Sequence, residues 1–178
     1  MTSPKGSSNH LRALAHPVRL RILSLLTGAE LSAAEVAREL GLTHANASYH
    51  LRFLLDAGEV VLGSEESIRG GRAKRYRHPW RPEDRPQPPE VPPAGTEAVQ
   101  LVVRAGTAEL LRRSRHRRPG IRSAFTDAEL WVDADTWGRA LALLEEASAL
   151  LHDGARPPRS EGTELVNLSL FAFVMDAP

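Results

Sequence analysis

The sequence predicts an α+β protein in two parts, a helix-rich N-terminal domain and a mixed C-terminal one, and three observations carry that expectation. From residue 11 to 58, apolar residues recur at helical spacing, with capping residues and glycines between the repeats. Seven of the thirteen prolines crowd into residues 79–95, where neither a helix nor a central strand is sustainable. Strand-like runs occur only after Gly58, at 60–63, 73–78, 130–132 and 165–175, the last two flanking one long helical pattern. The expected division is 1–78, a linker at 79–95, and 96–178.

Residues 1–8 are small and polar and are expected to be disordered. Asn9 can cap a helix that carries Leu11 and Leu14. Pro17 then breaks the chain and starts a second helix, with Val18, Ile22, Leu25 and Leu26 as its apolar side and Gly28 as its end. Arg19 and Arg21 are expected on the solvent side of that helix, as solvated charges or phosphate contacts.

The stretch from Leu31 to Gly58 is the most informative. Ser32 and Glu35 have capping-box spacing, so a helix should begin at Ala33, bury Val36, Ala37 and Leu40 on one side, and end at Gly41. Thr43 can cap the next helix, in which Ala47, Leu51 and Leu54 share a face by the i, i+4, i+7 rule before Gly58 ends it. Ala45, Ser48, Tyr49 and Arg52 then point away from that face, which leaves an outer surface that is small and polar. Two short helices across a tight turn, the second with such a face, suit a DNA major groove. The DNA-facing residues of this helix are expected to be Thr43, His44, Ala45, Asn46, Ser48, Tyr49 and Arg52. After Gly58, strand-like pieces at Val60–Gly63 and Ala73–His78 bracket a loop containing Gly70 and Gly71. The basic residues around this hairpin are Arg69, Arg72, Lys74, Arg75 and Arg77, and loop cations beside a groove-reading helix can neutralise phosphates.

From about Leu11 to His78, and above all in LGLTHANASYHLRFLLDAGEV, the chain resembles the ArsR-type winged-helix repressors. The resemblance implies a winged helix-turn-helix, with the basic hairpin as its wing, a first helix that often joins a dimer interface, and His50 as part of a Ser-x-His-Leu pattern. Many such repressors sense metals through a cysteine pair at the position of Glu35–Leu40, or through a His and carboxylate set on a terminal helix. Here that first position reads EVAREL, the chain has no cysteine, and its seven histidines lack the i, i+3 or i, i+4 partners of a helical metal site. No metal and no cofactor is expected.

In the C-terminal part a helix is expected from Thr96, with Val99, Val102, Val103, Gly106 and Leu110 on one face. That face should cover the second domain's core or meet its symmetry mate. RRSRHRR at 112–118 reads as a solvated helix end, with contact to DNA or to an acidic ligand as the sharper alternative. A β-α-β unit should follow: a strand at Leu130–Val132, a helix from about Ala134 to Leu151 capped by Asp133 and burying Trp137, Leu141, Leu144, Ala147 and Leu151, and a last strand at Leu165–Met175. The last strand ends in a wholly apolar run, so both its faces want burial, one against the helix and the other against a partner chain, an apolar ligand or the helix at 96–111. Any effector pocket should involve Trp131, Trp137, Phe171 or Phe173 and take a small apolar molecule.

Composition bounds the function classes. At 42% hydrophobic and 25% charged the chain suits a globular protein, and no run reaches the length of a membrane span. A cytoplasmic location without membrane association is expected. Net charge is +1, but residues 1–80 hold 11 Lys or Arg against 7 Asp or Glu, while the remainder holds 12 against 15. A basic first half beside an acidic second half suits a DNA-binding domain joined to one with another task. The usual signatures of hydrolases, phosphate-binding loops, dinucleotide sites and zinc proteases are absent from the sequence, so catalysis is not expected. The sequence therefore reads as a dimeric, sequence-specific regulator of transcription that binds double-stranded DNA at an inverted repeat, and the resemblance implies a repressor. The rival reading is a protein-interaction adaptor that keeps the winged fold without binding DNA.

Overall fold

The computed structural model describes residues 5–68, 71–81, 84 and 97–176, with the backbone alone for 5–9, 65–68, 71 and 72. The element order is α1 (Lys5–Leu14), α2 (Pro17–Thr27), β1 (Leu31–Ser32), α3 (Ala33–Leu40), α4 (His44–Asp56), β2 (Val61–Ile68), β3 (Gly71–Arg77), α5 (Glu97–Ser114) and α6 (Ala134–Asp153). The three strands form a small antiparallel sheet in the order β1-β3-β2. Arg69, Gly70 and most of the proline-rich stretch lie outside the described residues.

Local chemistry explains the helix boundaries. Ser32 and Glu35 close the capping box of α3, and Gly41 ends that helix at a φ of 66°, a left-handed conformation in which any side chain would be strained. Thr43 caps α4 by accepting from the Asn46 N–H, and Asp133 caps α6 by accepting from that of Thr136. Pro17 opens α2, and the His16 imidazole accepts from the Val18 N–H as its cap. Helix α1 begins at Lys5 instead of after Asn9, so Asn9 lies within a helix and residues 5–8 are ordered into it. The hairpin strands run further than the expected pieces, and β1 pairs Leu31 with Tyr76 and Ser32 with Arg75. Two residues carry too little pattern to announce a strand.

The core lies between α2, α3, α4 and the sheet. Ile22, Leu26, Val36, Ala47, Leu51, Leu54 and Val60 are almost fully buried, and Tyr76 reaches in from β3. Truncating one of the larger of these to Ala would cost about 2–5 kcal/mol. The buried Arg19 corrects the expectation of a solvent-facing charge. Its guanidinium donates to the carbonyls of Ala13, at 2.7 Å, and of Arg12, and lies 4.4 Å from the centroid of the Phe53 ring. It closes the C-terminal end of α1, where carbonyls lack helical partners. Arg21 donates to the Leu40 carbonyl at 3.2 Å and does the same for α3.

Helix α5 packs on α1 and α2. Its covered face is turned from the expected stripe: Ala105 and Glu109 are buried, while Val103 and Leu110 are exposed. Glu109 is 3% exposed and is held by Arg112 at 2.8 Å and Arg113 at 3.5 Å, so a buried carboxylate supplies the inner end of the helix. A carboxylate that finds two guanidinium partners can occupy a position where the sequence pattern asks for an apolar residue.

The expected β-α-β unit is corrected. Helix α6 is present, but 130–132 and 165–175 form no strand among the described residues. A strand needs a ladder partner, and residues 164–171 make their contacts along α5 and with Arg118 just beyond it. Glu164 pairs with Arg118, Asn167 accepts from Arg113 at 3.1 Å, and Phe171 sits against Gly106, where a Cβ would come within 2.5 Å of its ring. The half-buried Trp137, Leu141 and Leu144 keep the inner stripe of α6, whereas Ala147 and Leu151 are exposed. The connection after α6 returns to the N-terminal domain. The Arg156 backbone meets Gly28, Arg159 pairs with Glu39 at 2.9 Å, and Asp153 pairs with Arg81 at 2.6 Å.

Candidate nucleic-acid interface

Two sides of α4 have opposite tasks. Ala47, His50, Leu51 and Leu54 face the core, while His44, Ala45, Asn46, Tyr49 and Arg52 are exposed and Ser48 is half-exposed. Thr43 precedes them as the cap. Tyr49 is 54% exposed and presents its phenol outward, and Arg52 stays over its own helix, its Nε donating to the Ser48 carbonyl at 3.4 Å. Small side chains at 45 and 48 leave room for another surface to approach the backbone, and the polar groups at 46, 48, 49 and 52 can hydrogen-bond to base edges.

Behind this surface lies a cluster of two imidazoles beside Arg19 that spacing did not reveal. The His16 and His50 rings lie 4.9 Å apart, and the Tyr49 ring meets His50 edge-on at 5.3 Å. Burial and then the Arg19 charge hold the His16 imidazole below its ordinary pKa. Burial, then His16 and then Arg19, do the same to His50. The His50 Nδ1 is buried with no hydrogen-bond partner among the described residues. His50 is thus a structural residue of the inner face. On the neighbouring side, His10 of α1 pairs with the buried Glu59 that follows α4, which ties the helix end to the first helix.

The hairpin separates the basic residues that the sequence grouped together. Arg69 and the Arg72 side chain lie outside what is described. Arg75 is half-buried and donates to the Glu30 carbonyl at 2.7 Å and to Glu35 at 3.3 Å, so it braces the sheet against α3. Burial raises the Glu35 carboxyl, but hydrogen bonds from the Ser32 backbone and hydroxyl, together with Arg75, bring it below its ordinary pKa. Lys74 and Arg77 are exposed. In RRSRHRR, Arg112 and Arg113 serve Glu109, Arg117 donates to the Ser123 hydroxyl at 2.9 Å and Arg118 pairs with Glu164.

The four aromatic residues expected to line a pocket are not gathered. Trp131 is 90% exposed, Phe173 is exposed, Trp137 is half-buried on α6 and Phe171 rests on Gly106. Residues so open to solvent do not enclose a ligand within one chain. A cleft of about 350 Å³ lies elsewhere, between the end of α2 and the residues that follow β3, bordered by Thr27, Glu30, His78 and Trp80.

A family profile described as a helix-turn-helix domain matches residues 14–58. These residues form a helix-turn-helix domain. The matched span runs from the end of α1 through α4, so it contains the helix-turn-helix pair and its packing helix and stops short of the hairpin. A probable mercury resistance operon repressor of Streptomyces lividans is 33% identical over 75 residues, which are 42% of this chain and 56% of that protein. The match therefore spans little more than half the length of that relative. The solved structure of RV1404 from Mycobacterium tuberculosis aligns over 85% of this chain and 76% of its own at 17% identity and a TM-score of 0.29. That score is too low to say anything of the C-terminal half.

Proposed function

We propose that the protein is a transcriptional regulator that binds an inverted-repeat operator as a homodimer, most simply as a repressor. One observation carries the reading: the outer face of α4 is exposed, small and polar along its length, while the arginines that pack its domain, Arg19, Arg21 and Arg75, are turned inward on carbonyls and carboxylates. The fold thus uses its internal cations for structure and leaves this helix open. The helix-turn-helix match and the repressor name of the Streptomyces lividans relative support the same reading. In this proposal Thr43, His44, Ala45, Asn46, Ser48, Tyr49 and Arg52 face the major groove, and Lys74 and Arg77 face phosphates. Residues 1–78 act as the DNA-binding domain, 79–95 as a spacer and 96–178 as the dimerisation domain.

That relative's name refers to mercury, a soft metal. This chain has no cysteine, so a thiolate site for a soft metal is not available to it, and its signal has another chemistry.

The test is duplex binding by the intact chain at low and moderate salt, followed by selection of its preferred sequence. Replacing Ser48, Tyr49 and Arg52 with Ala should weaken specific binding by about 1–3 kcal/mol for each base-edge interaction removed and leave the circular dichroism unchanged. Normal operator binding by that triple variant would remove α4 as the reader. A folded wild-type chain that binds no duplex at low salt would establish the adaptor reading instead.

A further inference from the structure

The C-terminal half of the chain leaves its apolar surface uncovered. Among the described residues, every exposed large apolar side chain except Tyr49 and Leu62 lies at Leu101 or beyond, and Phe125 is 93% exposed. Helix α6 buries no residue fully over its twenty positions.

Residues 164–171 show how that surface is organised. Their three anchors, Glu164 on Arg118, Asn167 on Arg113 and Phe171 on Gly106, run antiparallel to α5. From 113 back to 106 the helix rises about 10 Å, and four extended residues from 167 to 171 span about 13 Å. An extended segment between these anchors fits the rise of the helix, and α5 lies against part of it. Among the described residues no turn or loop backbone hydrogen bond falls on 164–176, so its N–H and C=O groups have no ladder partner. Leu165, Val166, Leu168, Leu170, Phe173 and Val174 remain exposed on it.

We propose that residues 164–176 are a β-strand completed by the same segment of a second copy, antiparallel across a two-fold axis, with the exposed apolar residues of 121–132 and α6 closing over the shared sheet. The occupant follows from the charge and edge chemistry of the segment. From Leu165 to Met175 it has no charged residue and no proline, so neither edge carries the groups that block strand pairing, and a two-fold axis placed away from residue 170 keeps Glu164 of one copy from facing Asp176 of the other. An open edge of this kind would otherwise recruit chains without limit, and a two-fold pairing covered by other elements closes it. The inference deepens the dimer part of the proposed function and does not depend on DNA binding.

Sedimentation of the full chain over a wide dilution series, with hydrogen exchange read at each end, tests it. The expected result is a dimer whose amides at 164–176 are protected and lose protection on dilution. Consecutive N–H groups of a strand point to opposite edges, so Leu168→Pro and Ser169→Pro sample both. One of the two should raise the dimer dissociation constant about tenfold or more, since symmetry removes each bond twice. Exchange in α2–α4 is the internal control that the variant is folded, and the wild-type exchange pattern decides if it is not. A chain that stays monomeric, or a dimer whose residues 164–176 exchange freely, would overturn the inference. In the latter case operator binding by the wild type still leaves the regulator reading standing. A protected dimer that binds no duplex leaves this inference standing and removes the other.

Discussion

At the scale of single residues, the basic side chains divide by what they can reach. Arg19 satisfies carbonyls at the end of α1, and its charge acts on the imidazoles of His16 and His50. Both imidazoles are held below their ordinary pKa, so the folded protein prefers them neutral. Between that lowered value and the unfolded value of about 6.5, the unfolded chain binds more protons and stability rises with pH. The stabilising difference is fully present above about 6.5 and is lost as pH falls through the window toward the folded values. Glu35 adds a second loss at lower pH, because its depressed carboxyl contributes stability above about 4.3 that protonation removes. Urea midpoints at a series of pH values should show the first decline, and His16→Asn with His50→Leu should flatten it. A wild-type midpoint that holds steady from about pH 7 to 5 would show that the two imidazoles do not titrate with unfolding.

At the scale of elements, the hairpin combines an internal brace and solvent-facing cations on one strand. Arg75 joins β3 to the Glu30 carbonyl and to Glu35, the residue that also completes the cap of α3, so sheet and helix-turn-helix share one carboxylate. Lys74 and Arg77 extend from the same strand into solvent. Replacing both with Ala should flatten the dependence of log K on log salt by roughly 0.9 for each phosphate no longer neutralised, while thermal stability holds. Arg75→Met should do the reverse, lowering the melting temperature with little change in slope. Equal slopes for all three proteins would move the phosphate contacts elsewhere. The capping box, Thr43, Gly41 and Pro17 were legible in the sequence because each acts on backbone groups within four residues. The His16 cap was not, because histidine is an uncommon capping residue.

At the scale of the whole molecule, symmetry determines what one recognition helix can achieve. In the proposed function, a single α4 spans too few base pairs to select a site in a genome, so two would have to act together. A two-fold axis predicts an inverted repeat whose half-site centres lie about 10–10.5 base pairs apart, or a multiple. Footprinting on selected sequences should show two protected patches on one side of the duplex. Insertion of half a helical turn between them should reduce affinity to that of a lone half-site. Unchanged affinity after the insertion would mean that the two readers are not held by a rigid dimer. Within one chain, Arg159–Glu39, Arg81–Asp153 and the approach of the Arg156 backbone to Gly28 join the chain around α6 to α3, to Arg81 and to the end of α2.

The sequence by itself determined the helix-turn-helix, its caps and glycines, the buried and outer faces of α4, the basic hairpin and the existence of α6. Each of these follows from short-range periodicity or from a side chain bonded to nearby backbone. Only the tertiary structure decided the rest. It turned α5 onto α1 and α2 with Glu109 inward, made Arg19, Arg21 and Arg75 internal braces, and laid 164–171 along α5 where a β-α-β unit was expected. The physical reason is the same in each case. A charge can replace an apolar residue when distant partners satisfy it, and an apolar run becomes a strand only where another strand lies beside it. Neither partner is encoded within reach of the local pattern.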